Sequence, residues 1–155
     1  MKGDKKVIAV LNELLSDELT AINEYMVHSE MCANWGYEKL HKAIEKSAID
    51  EMKHAEKLIG RILFLEGTPI VSKLNPIHIG ATVADMVNND HKAELGAVQS
   101  YNAAIRLASE VGDDGTRELW TSILKDEERH VDWEEEQGDQ IEQLGLGLYL
   151  STRTA

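Results

Sequence analysis

The sequence predicts an all-α protein: a four-helix bundle with one long crossover and a short C-terminal fifth helix. Apolar residues recur at intervals of three and four over four long stretches of the 155-residue chain, which is the spacing of one helix face. Both prolines, Pro69 and Pro76, fall in one central segment, so the two flanking halves contain none. Each stretch runs for about 28 to 31 residues, or roughly 42 to 46 Å of helix. Helices of this length are typical of bundles.

We expect these helices within one domain that spans residues 1–155. They are placed at residues 5–35, 37–66, 82–111 and 116–144. Glycine readily adopts the left-handed conformation that ends a helix. Glycines at or beside the predicted boundaries are Gly36, Gly67, Gly112 and Gly115. The apolar residues of the four faces include Val7, Leu11, Leu14, Ile22, Leu40, Ile44, Leu58, Ile62, Val83, Val87, Ala104, Leu119 and Ile123.

The connections between the helices predict the topology. The first and third are only a few residues long, whereas residues 67–82 form a connection of about 16 residues that spans roughly 53 Å when extended. These lengths predict two antiparallel hairpins joined by one long crossover. Apolar residues after Gly145, among them Leu148 and Tyr149, predict a tail helix at about 146–152. The alternative for this tail is a frayed terminus.

The composition excludes several classes of protein. Acidic residues number 28 and basic residues 16, so the formal net charge is −12, which disfavours nucleic acid and favours cations as partners. The single cysteine, Cys32, makes neither an intramolecular disulfide nor a thiolate cluster. No apolar stretch approaches the roughly 18 residues of a membrane span. Asn12 and Glu13 also interrupt the apolar run that a signal peptide requires. We therefore expect a cytoplasmic protein without a nucleic-acid or membrane partner.

Six ionisable residues lie on helix faces that should be buried. They are Glu18, Glu51, His54, Glu94, Glu127 and His130. The second and fourth helices each carry a Glu-x-x-His pair, whose two residues lie within about 60° of each other on the helix and so present two ligands together. An ionised carboxylate in an apolar core is costly unless it is paired or bound to a metal. These residues are therefore candidate metal ligands.

The candidate ligands repeat along the chain. The interval from Glu18 to Glu51 equals the interval from Glu94 to Glu127. Each residue of the second set follows its counterpart in the first set by the same number of residues, which is the separation of Glu18 and Glu94 along the chain. We call this separation the repeat interval. An aspartate stands before each Glu-x-x-His pair. The repeat indicates a duplicated helical hairpin, which places two half-sites face to face about a pseudo-twofold axis.

Four carboxylates and two imidazoles suit a pair of iron or manganese ions. Carboxylates bridge two metals and balance their charge, and imidazole favours transition metals over Ca²⁺ or Mg²⁺. The alternative is a set of solvated residues on acidic helices, because one Glu-x-x-His motif also occurs by chance. Six residues at matching intervals on four faces favour the metal site.

The chain resembles the bacterioferritins, a ferritin-like family, over essentially its whole length. The resemblance rests on residues 19–23, 50–55 and 61–67 and on the segment from Glu127 to His130. It implies a homo-oligomeric cage of 24 subunits built from dimers. Each subunit of such a cage carries a di-iron ferroxidase centre that oxidises Fe²⁺ with O₂ or H₂O₂, and the Fe³⁺ is deposited as mineral inside.

The resemblance also implies a role for each ligand. Glu18 and His54 hold one iron, Glu94 and His130 hold the other, and Glu51 and Glu127 bridge the two.

Five further residues each have two alternative interpretations. By resemblance Tyr25 and Trp133 are electron donors near the centre, whereas their sequence positions alone favour core packing. Asp50, Asp90 and Asp126 either orient the ligand imidazoles or are solvated helix residues.

Met52 points away from the ligand face, since it is about 100° from its neighbour Glu51 on the helix. Spacing alone indicates packing at a subunit interface, in a mixed apolar patch with Met26 and Ile49. The resemblance instead implies a b-type haem shared between two subunits, with Met52 as its axial ligand. Such a haem aids iron release and accepts electrons from a ferredoxin-type reductant.

Two departures from the family pattern affect secondary iron sites. Lys46 stands where the family often has a histidine of an inner-surface iron site, and a cation there repels Fe²⁺. Leu148 and Ser151 stand where more polar residues are expected along the fourfold channel. The other histidines, which have no paired spacing, are taken as surface or packing residues.

Two other functions remain open from the sequence. One is a di-iron peroxidase or oxygenase on the same fold. The other is a structural helical assembly protein, with its acidic core positions satisfied by hydrogen bonds.

Overall fold

The computed structural model describes residues 1–155 and contains five helices and no strand. It confirms the predicted all-α bundle with one long crossover. The helices are α1 (Lys5–Asn34), α2 (Glu38–Phe64), α3 (Val83–Glu110), α4 (Asp114–Leu144) and α5 (Leu146–Ser151). α1 packs mainly on α2 and α3 mainly on α4, and contacts of α1 with α3 and of α2 with α4 join the two hairpins.

Side chains and glycines fix the helix ends. The Asp4 side chain caps α1 by accepting hydrogen bonds from two backbone N–H groups, and the Asp113 side chain caps α4 in the same way from Thr116. Arg61, near the end of α2, donates to Thr116 Oγ1 (2.9 Å) and to Asp113 Oδ1 (3.0 Å), which ties the two hairpins together. Gly36 and Gly112 end the first and third helices at φ +82° and +74°, a conformation that strongly favours glycine.

The crossover runs along α1 and is held by α1 side chains. Asn12 binds the backbone of Thr68 and Ile70 at its beginning. The Gly80 N–H donates to Nε2 of the buried His28 (2.9 Å) near its end. A Cβ at Gly80 would lie 2.4 Å from the backbone N of Met86, so only glycine permits this close approach. The crossover therefore follows the outer face of one helix without secondary structure of its own.

The apolar core consists of two clusters at opposite ends of the bundle. The first includes Leu11, Leu15, Leu58, Ile62, Tyr101, Trp120 and Ile123. The second includes Tyr25, Cys32, Leu40, Ile44, Val83, Met86 and Tyr149. On each long helix the predicted metal ligands lie between the residues of the two clusters. The two clusters thus fix the helices on both sides of the acidic layer.

The C-terminal tail is docked rather than frayed. Tyr149 is fully buried in the second cluster, and its hydroxyl donates to Gln137 Oε1 (2.7 Å). The Arg153 guanidinium lies 4.5 Å above the Tyr149 ring. The Arg153 carbonyl accepts a hydrogen bond from the Lys39 N–H. No helix of this bundle combines the length and the apolar character that crossing a membrane requires.

Candidate metal centre

The four long helices bring the six predicted ligands together as two overlapping groups. The first group is Glu18, Glu51, His54 and Glu127, and the second is Glu51, Glu94, Glu127 and His130. Within each group the ligand atoms all lie within 4.8 Å of one another. Glu51 and Glu127 belong to both groups. The geometry is therefore that of two adjacent cation sites with two carboxylates in common.

All six side chains are buried, and several of their oxygens lack hydrogen-bond donors. At most 7% of any of the six residues is exposed to solvent. The oxygens without a hydrogen-bond partner are Glu18 Oε2, Glu51 Oε1, Glu94 Oε2 and Glu127 Oε1. Leaving such oxygens desolvated costs free energy, and the only ion-pair partners of the four carboxylates are the imidazoles of His54 and His130. The residues present thus fit metal ions, which would supply the missing positive charge.

Each ligand imidazole has one nitrogen directed at the carboxylates and the other at an aspartate outside the two groups. His54 Nδ1 lies 3.1 Å from Glu127 Oε1, while its Nε2 lies 2.8 Å from Asp126 Oδ2. His130 Nδ1 lies 3.1 Å from Glu51 Oε1, while its Nε2 lies 3.2 Å from Asp50 Oδ2. An Nε2–H that donates to a carboxylate leaves Nδ1 as the metal-binding atom.

Two tyrosines connect the half-sites reciprocally. Tyr25 of α1 donates its hydroxyl proton to Glu94 of α3. Tyr101 of α3 donates to Glu18 of α1 at 2.5 Å. These tyrosines are separated by the repeat interval, the same offset that separates the two ligand sets. The duplication thus extends from the ligands to the residues that orient them.

Burial and mutual repulsion shift the pKa values of the carboxyl groups. Burial, together with the charge of Glu18, raises the pKa values of Glu51 and Glu127 well above the ordinary value. Burial also acts to raise the pKa of Glu94, but the hydrogen bond from His130 outweighs it and the net shift is downward. The metal-free site therefore holds protons where two cations fit.

The imidazoles have raised pKa values. Burial opposes the charged form of His54, but the carboxylates of Glu127 and Glu18, 3.1 and 3.5 Å from its Nδ1, outweigh burial and raise its pKa to about 11. The pKa of His130 rises to about 9, because the hydrogen bond and charge of Glu94 likewise outweigh burial. In the metal-free protein both rings carry a positive charge at neutral pH, which offsets part of the carboxylate charge.

A second buried group contains Glu24, His28 and Asp90, beside the second ligand set. His28 Nδ1 lies 2.9 Å from Asp90 Oδ1, and its Nε2 accepts the Gly80 N–H, so both ring nitrogens are engaged. Both expected readings of Asp90 are wrong, because it is buried and its partner is not a ligand imidazole. Asp90 instead orients His28, which anchors the crossover.

The other predicted residues lie outside the ligand cluster. Met52 and Ile49 are exposed three residues apart on α2, and Met26 is exposed on α1. Trp133 packs partly buried against the second core cluster. Lys46 is exposed, and so is Leu148 of the tail.

Sequence reasoning missed two residues of the site. Sequence analysis assigns Tyr101 no role at the site, although the repeat interval that separates it from Tyr25 is a signal for a matching one. Glu134 is buried and its Oε1 lies 2.8 Å from the Tyr25 hydroxyl. Burial and the charge of Glu94 raise the Glu134 pKa to about 9. Nothing in its spacing set Glu134 apart from the other acidic residues of α4.

A long-helix bundle with two overlapping carboxylate and histidine groups in its centre defines a ferritin-like metalloprotein. The family model of the ferritin-like domain matches residues 8–144. The bacterioferritin of Streptomyces coelicolor is 41% identical over 152 residues, which cover 98% of this chain and 91% of that protein. The bacterioferritin of Rhodobacter capsulatus is 43% identical over 145 residues (94% and 90%), and the bacterial ferritin of Synechocystis is 41% identical over 154 residues (99% of both). The chain belongs to the bacterioferritin family.

Proposed function

We propose that this protein stores iron and oxidises Fe²⁺ to Fe³⁺ at the centre formed by the six ligands. The observation that carries the proposal is that the two groups of ligand atoms share Glu51 and Glu127. Shared carboxylates bring two cations close enough to deliver electrons to one oxidant. Membership of the bacterioferritin family supports iron as the metal and storage as the purpose.

Each ligand has a proposed role. Glu18 and His54 hold one Fe²⁺, Glu94 and His130 hold the second, and Glu51 and Glu127 bridge them. The Nε2–H contacts with Asp126 and Asp50 support this assignment, because they leave each Nδ1 free to bind metal. Tyr101 and Tyr25 keep the terminal carboxylates Glu18 and Glu94 oriented by hydrogen bonds.

The reaction takes one electron from each of the two Fe²⁺ ions. Two electrons and two protons convert O₂ to H₂O₂, or H₂O₂ to two molecules of water. Carboxylate ligands favour Fe³⁺ over Fe²⁺ because they are hard, negatively charged donors. The protons that His54 and His130 hold in the metal-free site leave when Fe²⁺ binds.

Storage follows if the chain, as a single domain of residues 1–155, assembles into a 24-subunit cage in the cytoplasm. Fe³⁺ then passes to the interior and forms a mineral. Membership of the bacterioferritin family supports this assembly.

The exposed surface that carries Met52 fits a haem at an interface between two subunits. Met52 is 46% exposed, and Ile49 on the same helix and Met26 on α1 are further exposed apolar residues that would suit a macrocycle. A thioether ligand from each of two subunits would hold the iron of the haem. When bound, the haem supplies electron transfer, which aids reduction and release of stored iron.

The test is aerobic Fe²⁺ oxidation by the assembled protein and by a double variant, Glu18→Ala with Glu127→Ala. We expect the variant to lose rapid oxidation and keep its assembly, because it loses one terminal and one bridging ligand. Glu110→Ala with Glu118→Ala is the matched control, since both residues are exposed. Rapid oxidation by the Glu18/Glu127 variant would disprove the site.

The amount of iron taken up separates storage from a di-iron oxygenase or peroxidase. Uptake far beyond two irons per subunit, with the iron soluble in a large particle, is the result expected for storage. Oxidation that stops near two irons per subunit would favour the catalytic alternative. A protein that binds no metal would support a structural role.

A further inference from the structure

A cavity of about 310 Å³ leads from the protein surface to the metal centre between α1 and α3. Its lining includes four of the six ligands, Glu18, Glu51, Glu94 and Glu127. These carboxylates are almost fully buried, and each has an oxygen without a hydrogen-bond partner. The inner end of the cavity is therefore the metal centre itself.

The outer end of the cavity opens to the protein surface, and the two sides of this opening differ in charge. On the α3 side it is lined by Ala93, Gly96 and Ser100, which have small side chains or none. On the α1 side it is lined by Asp17 and Glu24, which lie seven residues apart on one helix face. No Lys or Arg lines the cavity. A cation at this opening thus meets two carboxylates before it reaches the four at the inner end.

The internal repeat identifies the pairs of equivalent positions that differ in charge at this opening. The positions equivalent to Asp17 and Glu24 in the second hairpin, one repeat interval later, are Ala93 and Ser100, which form the opposite rim of the same opening. The ligands are therefore duplicated, whereas the acidic residues of the opening are present on one side only.

The crossover lies over one part of this opening and is held there by the same two carboxylates. Asn75 Nδ2 donates to Asp17 Oδ1 at 2.6 Å, and the Asn75 N–H donates to Thr20 Oγ1. The His78 N–H donates to Glu24 Oε1 at 2.9 Å. Each hydrogen bond uses one oxygen of its carboxylate, and a carboxylate has lone pairs on both oxygens. Asp17 and Glu24 thus hold the cover and face the cavity at once.

We propose that Asp17 and Glu24 form a transient divalent-cation site at the mouth of this cavity, through which Fe²⁺ passes from the surface to the ligands. The inference rests on the proposed function of the centre and adds the residues that deliver its substrate. The cation binds Asp17 and Glu24 beneath residues 75–78 and moves inward because the inner carboxylates offer more ligands.

The cleft between α3 and α4 is the competing route. Its volume is about 400 Å³, and His91, Glu134, Glu135 and Asp139 are among the residues that line it. None of the six ligands lines this cleft. It ends at Glu134, which contacts the Tyr25 hydroxyl rather than a cation site. The cleft therefore lacks the direct opening to the ligands that the α1–α3 cavity has.

The first test removes charge without removing the cover. Asp17→Asn with Glu24→Gln keeps an oxygen acceptor for Asn75 and for the His78 N–H. We expect the rate of anaerobic Co²⁺ binding, followed by visible absorption at low Co²⁺ concentration, to fall about tenfold. The centre should still bind two Co²⁺ per subunit at saturation, because none of its six ligands is changed. The rate should also lose most of its dependence on ionic strength.

The second test blocks one route at a time. Gly96 lines the α1–α3 cavity and Gly138 lines the α3–α4 cleft, and a Cβ added at either position meets no atom within 4 Å. Leucine is also a better helix former than glycine, so both variants should fold. We expect Gly96→Leu to slow Co²⁺ binding by about tenfold or more, since a hydrated cation needs the space. Gly138→Leu is the matched control and should bind at the unmodified rate.

The outcomes separate this inference from the proposed function. If the unmodified protein binds two Co²⁺ per subunit but neither Gly96→Leu nor the charge variant slows binding, the metal centre stands and the inference is wrong. Slower binding in Gly138→Leu alone would assign the route to the α3–α4 cleft, and this result would also overturn the inference. Failure of the unmodified protein to bind Co²⁺ or oxidise Fe²⁺ would overturn the proposed function.

Discussion

Replacement of Glu51 by glutamine tests whether one carboxylate serves two metal ions. Glutamine has nearly the same shape, but its amide carries no charge and does not bridge two metals. Glu51 belongs to both ligand groups, and its Oε1 has no hydrogen-bond partner. Burial raises the pKa of Glu51 well above its ordinary value, so a negative charge on this group is costly in the metal-free protein. The substitution should therefore leave the stability of the metal-free protein equal or higher.

The metal-bound protein should respond strongly. One ion at a concentration of 100 times its Kd stabilises a protein by about 2.7 kcal/mol, so two ions contribute about 5.4 kcal/mol. A change of 1 kcal/mol moves the Tm of a chain of this size by about 2 to 4 °C, so Co²⁺ should raise the Tm by roughly 10 to 20 °C. If glutamine weakens the affinity for each ion about 100-fold, the stabilisation by the two ions falls to about 0.8 kcal/mol. The increase in Tm then falls to roughly 2 to 3 °C.

The assay is calorimetric unfolding of Glu51→Gln with and without anaerobic Co²⁺, beside a titration that counts bound ions. Glu118→Gln makes the same chemical change at an exposed position of α4 and serves as the control. A Glu51→Gln protein that kept two ions per subunit and the full rise in Tm would refute the shared-ligand geometry. A fall of several degrees in the Tm of the metal-free variant would instead show that Glu51 stabilises the bundle without metal.

Three further outcomes are expected. Met52→Leu should abolish haem absorbance and leave assembly intact; haem bound at the unmodified level would rule out Met52 as its ligand. Binding of Fe²⁺ or Co²⁺ should release protons, and its affinity should increase as the pH rises from about 6 to 8. The reason is that His54 (pKa about 11) and His130 (pKa about 9) are protonated in this range until the metal displaces their protons. Calorimetric titrations in buffers of different ionisation enthalpy measure this release, and a heat independent of buffer would contradict it. Tyr149→Ala should cost about 3 to 5 kcal/mol of unfolding free energy, since the ring is fully buried, whereas Leu148→Ala, at 58% exposure, should cost about 0.5 kcal/mol or less. Equal urea midpoints for the two variants would show that the tail is not docked.

The periodicity of the sequence was sufficient to predict the helices and the residues that meet in the core. The predicted ends of all five helices lie within two residues of the observed ends. A glutamate in an apolar stripe is a conspicuous signal, because burial requires a partner for its charge. The repeat then supplied the pairing, since positions related by the repeat interval occupy equivalent places in the two hairpins.

Residues that depend on the relative positions of distant segments were not predictable in this way. Asp90 has the helical position of a residue near the ligands, but the crossover places His28 beside it and takes up its hydrogen bonds. Glu134 resembles its acidic neighbours in sequence and differs only because Tyr25 of another helix reaches it. The links from Asp17 and Glu24 to the crossover join residues that are far apart in the chain, without any local pattern.

The division of the ligands between the hairpins has a consequence for folding. Glu18, Glu51 and His54 belong to α1 and α2, whereas Glu94, Glu127 and His130 belong to α3 and α4. Each hairpin closes through contacts between chain neighbours, which form rapidly, but neither holds a complete ligand group. Each hairpin carries two of the four carboxylates, and all four meet only when the hairpins dock, so the added repulsion opposes a late step of folding. A divalent cation bound at that step would slow unfolding, and the lifetime of the folded subunit would depend on the metal concentration around it.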